Sequence, residues 1–88
     1  MIYLTGAMTC PPDRLDAVRA ALPAHIALTR QENGCITFDV AETTPGVFMV
    51  SETFADEAAF DAHQLRAGAS TWAKITAGLP RNYTVTKG

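Results

Sequence analysis

The sequence predicts an α+β domain of the ferredoxin-like class. Its elements run in the order β-α-β-β-α-β, and a four-stranded antiparallel sheet carries both long helices on one face. Three observations lead there. The first residues alternate with period two until Pro11-Pro12; a stripe of three- and four-residue apolar spacing then runs to Asn33-Gly34; two strand-like runs follow, separated by Thr43-Thr44-Pro45-Gly46. The 88 residues make one domain, 1–88, with no repeat, linker or low-complexity stretch.

In Ile2 to Thr9, Ile2, Leu4, Gly6 and Met8 share one parity and Tyr3, Thr5 and Thr9 the other, as in a strand. Cys10-Pro11-Pro12-Asp13 stops it and suits a helix entry, because proline at the first helical positions sacrifices no needed donor. From Asp13 to about Glu32, Leu15, Val18, Leu22, Ile26 and Thr29 form one amphipathic stripe, with Asp16, Arg19 and Arg30 toward solvent. Pro23 removes a hydrogen bond inside this helix and is expected to bend it or split it near Ala20–Leu22. Asn33-Gly34 terminates it, since glycine takes the left-handed conformation without steric cost.

Cys35 to Glu42 sets Ile36, Phe38 and Val40 against Thr37, Asp39 and Ala41, and Val47 to Phe54 returns antiparallel to it. Asp56 is the expected N-cap of a second helix, on which Ala59, Phe60 and His63 share a face continuing toward Ala67. Gly68-Ala69-Ser70 interrupts, Thr71 to Thr76 suits a short helical turn, and Asn82 to Thr86 is the last strand.

A formal charge of −2 with seven scattered Lys/Arg leaves no basic footprint for nucleic acid. No apolar run approaches the roughly 20 residues of a membrane span, so no membrane partner is expected. The opening MIYLTGAMTC lacks signal-peptide anatomy, and a cytoplasmic location is expected. Cys10 and Cys35 belong to no CxxC pattern and are expected to stay reduced as small core hydrophobes. With His25 and His63 they offer no metal-ligand spacing, and no GxGxxG or Walker-type loop is present, so no cofactor is expected.

A domain this short buries only roughly 60% of its unfolded surface and is helped by pairing with another chain. The return strand strengthens that argument. Phe48, Val50, Glu52 and Phe54 share one side and Val47, Met49, Ser51 and Thr53 the other, yet only one side can meet this chain's helices. A second sheet is the economical cover for the opposite face, so a homodimer with Val47 and Met49 in its contact is expected.

Glu52 is the most informative residue. It shares a strand face with Phe48, Val50 and Phe54, where an unpartnered carboxylate is costly to bury. It is either a pocket acid/base with a raised pKa or a strand-end Glu that reaches solvent or an Arg. His63, on the helix over that strand, is either a proton carrier near neutral pH or a packing histidine; together the two can point into one sheet–helix gap. Arg66, three residues on, can share that neighbourhood and neutralise a carboxylate or an oxyanion. Trp72, the only tryptophan, either walls a pocket against a flat substrate or plugs the core. Phe38 and Phe60 supply apolar surface. His25 is a weaker candidate, because Pro23 leaves its angle on the helix open.

The run from Glu32-Asn33-Gly34-Cys35 through Val47-Phe48-Met49-Val50-Ser51-Glu52-Thr53-Phe54 to Ala59-Phe60-Asp61-Ala62-His63 resembles the antibiotic biosynthesis monooxygenase family. Its most specific pieces are the ENGC helix exit and the E-x-F-x-D-x-x-A-F-x-x-H run. The resemblance implies a dimeric α/β-barrel of two ferredoxin-like domains, and cofactor-independent oxygenation of phenols or quinols by O₂ in a pocket between sheet and helices. It places Glu52 and His63 where quinol-monooxygenase-like members carry polar pocket residues. Haem-degrading relatives use an Asn in the first strand and a Trp and His near the second helix. Here the first strand offers Thr5, Gly6 and Ala7, and His63 takes the place of the Trp, which argues against haem. Gln64 to Thr71 departs from the H-x-x-S-x-H pattern, which leaves the substrate open.

Two functions are carried forward. One is a small monooxygenase acting on a quinol or hydroxylated polycyclic aromatic. The other is a non-catalytic dimeric module that binds a small aromatic metabolite or a partner protein, which a pocket filled by Phe38, Phe60 and Trp72 would favour.

Overall fold

A computed structural model describes residues 1–88. The elements are β1 (Ile2–Thr9), α1 (Pro12–Arg30), β2 (Cys35–Thr44), β3 (Val47–Phe54), α2 (Glu57–Gly68), α3 (Thr71–Ile75) and β4 (Arg81–Lys87). The strands form one sheet in the order β2-β3-β1-β4, every neighbouring pair antiparallel, which is the ferredoxin-like arrangement. No helix is long and apolar enough to cross a membrane.

Register decides what meets the helices. Ile2, Leu4 and Met8 of β1 lie beside Phe54, Glu52 and Phe48 of β3, and Phe38 of β2 lies beside Glu52. All seven side chains are buried, so they define the helix-covered face. Met49 and Tyr3, of the opposite parity, are exposed at 45% and 38% on the bare face. The main apolar core sits toward the Met8–Phe48 end, where both pack with Cys10, Val18 of α1 and Leu79. Both cysteines are free thiols, Cys10 buried and Cys35 half-buried.

Four local expectations need correction. Pro23 does not split α1, which is one continuous helix from Pro12 to Arg30. The proline is exposed, and the carbonyl it leaves without a partner, one turn back at exposed Arg19, can be hydrated. The buried line along α1 is Val18, His25 and Thr29, with Ile26 only half-buried. In β2 a register shift between Cys35 and Thr37 turns Ile36 outward, 49% exposed, and sets Cys35 opposite Phe54. The hairpin turn is tighter than expected, because β2 continues through Thr44.

Two junctions position the helices. Asp56 caps α2, its side chain accepting from the Ala59 amide at 2.8 Å. Gly34 follows α1 at φ +84°, and a Cβ there would lie 2.5 Å from the Ala59 Cβ. The missing side chain therefore lets α2 close down on the exit of α1. Farther along, Arg14 donates to the carbonyls of Ile75 and Ala77 at 2.7 and 3.0 Å, which fastens α3 to the start of α1.

Gly34→Ala should cost about 2 kcal/mol in chemical denaturation, from left-handed strain plus the Ala59 clash. Gly68→Ala, at a helix position with nothing near the new methyl, should be neutral or stabilising by under about 1 kcal/mol. Equal effects at the two glycines would contradict this account.

Candidate functional site

The gap between sheet and helices is not filled at its centre. A cavity of about 200 Å³ is lined by Met8, His25, Phe38, Val40, Phe48, Val50, Glu52, His63, Gln64, Ala67, Gly68, Trp72, Ala73, Arg81 and Tyr83. The sheet supplies the floor. Beside that floor, Gly6 of β1 has φ +154°, and a Cβ there would lie 2.1 Å from the Asn82 carbonyl and 2.8 Å from the Tyr83 ring, so only glycine fits next to Tyr83 at this position. Trp72 packs against the apolar core and also forms cavity wall, stacked on His25 with ring centroids 4.8 Å apart and planes 9° from parallel.

Glu52 reaches this cavity from β3 with only 7% of its surface exposed, and its Oε1 has no hydrogen-bond partner. Burial first, and then the negative charge of Glu32, push its carboxyl up to about 7. His63 comes down from α2, 4% exposed, with Nε2 3.7 Å from that Oε1. Its ring sits against Phe54 and Phe38, at centroid distances of 4.9 and 5.7 Å. The strand parity and the helical face put the two polar groups on one gap, and the geometry brings them face to face.

The other ring nitrogen of His63, Nδ1, lies 2.6 Å from Oε1 of Glu32. Arg66 donates from Nε to the second oxygen of Glu32 at 2.7 Å and from Nη2 to Thr29 Oγ1 at 2.9 Å. Burial alone would raise the Glu32 carboxyl, but the hydrogen bonds from Arg66 and His63, with their charges, outweigh it and hold Glu32 below the usual carboxylate range. His25 is buried with an unpartnered Nδ1; burial first, then Arg66 and His63, push it down to about 4, with Glu32 opposing.

Sequence reasoning placed several of these groups and misplaced others. Glu52, His63, Phe38, Trp72 and His25 all line the cavity. Phe60 does not: three residues before His63 and nearly a turn nearer the start of α2, it packs edge-on against Phe54, 5.7 Å away. Arg66 is also absent from the cavity wall, since Glu32 and Thr29 hold its guanidinium; its carboxylate partner is Glu32. Sequence reasoning missed Glu32, Tyr83 and Arg81. The signals for Glu32 were its place at the head of the ENGC helix exit and its spacing three residues after Thr29, just past the end of α1. No three His, Cys, Asp or Glu side chains cluster in a way that could hold a metal ion.

The Glu52 carboxyl carries a stability signature. Its folded value of about 7 stands above the ordinary 4.5, so between those pH values the folded chain holds a proton the unfolded chain has lost. Stability therefore falls as pH rises through this window, by at most about 3 kcal/mol. His25 has the opposite slope, its folded value of about 4 lying below 6.5. Glu52→Gln isolates the first effect: it should be more stable than wild type at about pH 8, with the difference vanishing below about pH 4.5. Urea midpoints that differ equally at both pH values would contradict a titrating Glu52.

Comparison with known proteins agrees with this architecture. The model of the antibiotic biosynthesis monooxygenase family matches residues 1–74. A Deinococcus radiodurans structure bearing the same family name superposes with a TM-score of 0.85 at 22% identity, over 100% of this chain and 92% of that one. One from Nitrosomonas europaea, likewise named, gives 0.85 and 22%, over 100% and 98%. Rv0793 of Mycobacterium tuberculosis gives 0.76 at 26% identity, over 99% and 93%. No functionally curated protein matches the chain. With the family model spanning most of its length and the fold shared throughout, the chain belongs to the antibiotic biosynthesis monooxygenase family.

Proposed function

We propose that the protein is a cofactor-independent monooxygenase that oxidises a hydroxylated aromatic of one ring, or two fused at most, with O₂. The observation that carries this reading is the facing of the buried Glu52 carboxyl and His63 Nε2, 3.7 Å apart, at an aromatic-walled cavity. A quinol becomes a good electron donor once a hydroxyl proton is removed, and a dry apolar wall keeps the resulting anion reactive. One group of the pair takes that proton. The arenolate passes electrons to O₂, and a carbon–oxygen bond forms to give a hydroperoxide. The C–H on the carbon bearing the hydroperoxide then loses its proton as the O–O bond breaks: the inner oxygen stays as a carbonyl, which can enolise to a hydroxyl, and the outer oxygen leaves as water with a proton returned by the same pair. For benzene-1,4-diol the balance is quinol plus O₂ to hydroxyquinone plus water.

Cavity size supports the narrower substrate class. A dry cavity of about 150 Å³ is enough for benzene, and drug-sized ligands occupy about 300 Å³ or more. At about 200 Å³ this cavity suits a substituted ring or a compact bicycle better than a polycycle of three rings. Trp72, as sole tryptophan and part of the wall, reports occupancy. Under anaerobic conditions benzene- and naphthalene-1,4-diol should quench its fluorescence saturably, and anthracene-9,10-diol should not. Equal affinity across the three would remove the size argument.

The reading extends to a homodimer that covers the bare sheet face carrying Met49 and Tyr3. Sedimentation should give a dimer at micromolar concentration, and a stable monomer would defeat this part.

Oxygen-electrode traces test the chemistry. Purified protein should consume O₂ with a suitable quinol, and Glu52→Ala or His63→Ala should lower the rate about 10²–10⁴-fold. Saturable quenching with wild-type, variant and buffer traces all alike would instead favour a non-catalytic module that binds a small aromatic metabolite.

A further inference from the structure

Glu32 lies outside the cavity lining, yet it makes the shortest contact to the one imidazole that faces Glu52. We infer that Glu32, clamped by Arg66, is the positioning residue that fixes His63 in its Nδ1–H tautomer and so presents a bare Nε2 to the Glu52 side of the cavity.

The argument begins with donors and acceptors. Arg66 can only donate, and it donates to Glu32 Oε2 at 2.7 Å. An ionised carboxylate can only accept, so the 2.6 Å contact requires Nδ1 to carry the hydrogen. A neutral imidazole with its proton on Nδ1 has its lone pair on Nε2. That atom is the one 3.7 Å from Glu52 Oε1. A neutral ring of the other tautomer would put two lone pairs together at Nδ1 and Glu32 and would leave no acceptor at the cavity.

The clamp limits the alternatives. Arg66 is itself held to Thr29 Oγ1 at 2.9 Å, and the Thr29 hydroxyl donates to the His25 carbonyl at 2.8 Å within α1. Glu32 is therefore fixed from two sides, and rotation away from His63 would break a charge-assisted hydrogen bond. The charged or titratable groups around His63 are Glu32 from the α1 exit, Arg66 from its own helix, Glu52 from β3 and His25 from α1. Of these, Glu32 alone contacts Nδ1. A carboxylate behind an imidazole orients the ring and steadies the imidazolium that forms when Nε2 takes a proton. The inference rests on the proposed reaction only for its kinetic consequence, because tautomer and hydrogen bond exist without substrate.

Nitrogen-15 NMR of the histidine rings tests it, with His25→Phe used to assign the second of the two histidines. Neutral wild-type His63 should show a protonated Nδ1 and an unprotonated Nε2, with a slowly exchanging, downfield Nδ1 proton. Glu32→Ala should abolish the downfield proton and mix the tautomers. Glu32→Gln offers one acceptor where Glu32 offers two; with its carbonyl kept on Arg66, its amide N–H₂ faces Nδ1, and the variant should keep the fold while shifting His63 toward the Nε2–H tautomer. On the proposed reaction, Glu32→Ala should lower kcat about 10²-fold or more and leave arenol binding by Trp72 quenching within about twofold. An Nε2–H tautomer in wild type, or an unchanged tautomer in a folded Glu32→Ala protein, would overturn the inference even if the rate fell. The tautomer change in a protein that consumes no O₂ with any arenol would support the inference while removing the oxygenase reading.

Discussion

The junction at Glu32 holds the working half of this molecule together. One carboxylate meets a ring nitrogen of α2 and a guanidinium of α2, and that guanidinium reaches back to Thr29 on α1. His63 is buried while Arg66 and Glu32 are partly exposed, so loss of the carboxylate would leave chiefly the buried Nδ1 without a partner. Gly34 makes the junction possible. A side chain there would strike Ala59, and α2 could not approach the end of α1 closely enough for His63 and Arg66 to share one carboxylate.

From this junction the electrostatics of the cavity follow. Two carboxyl groups flank one imidazole, and their surroundings push them in opposite directions. Glu32 is held down by donors, while Glu52, buried and with Oε1 unpartnered, is pushed up to about 7. One environment favours an anion behind the ring, and the other favours a protonated carboxyl, its Oε1 3.7 Å in front of it. Separating the two values in this way is how a small site obtains a fixed charge and a movable proton from the same residue type.

The fold is shared with structures only 22–26% identical to this chain, so backbone likeness does not transfer chemistry. The functional reading rests on what these side chains do. On the sheet side, Tyr83 of β4 lines the cavity beside Gly6 of β1, where any Cβ would strike it. The helix-side wall is the Trp72–His25 stack, which joins a five-residue helix to α1.

Short-range pattern in the sequence determined the order of elements, the parity of β3 and the cap at Asp56, because each depends on neighbours within one turn or one pleat. That parity sufficed to put Glu52 on the buried face, and the helical face sufficed to aim His63 at the same gap. His25 was less legible, since Pro23 obscured the phase of a helix that in fact runs unbroken. The outward turn of Ile36 was invisible because a one-residue register shift is set by the partner strand. Only tertiary structure decided that Glu32 meets His63 and Arg66, 31 and 34 residues away, and that Phe60 turns aside while Trp72 lines the cavity. Those pairings depend on how far α2 settles onto the exit of α1, a distance set by the Gly34–Ala59 contact and by no periodicity in the chain.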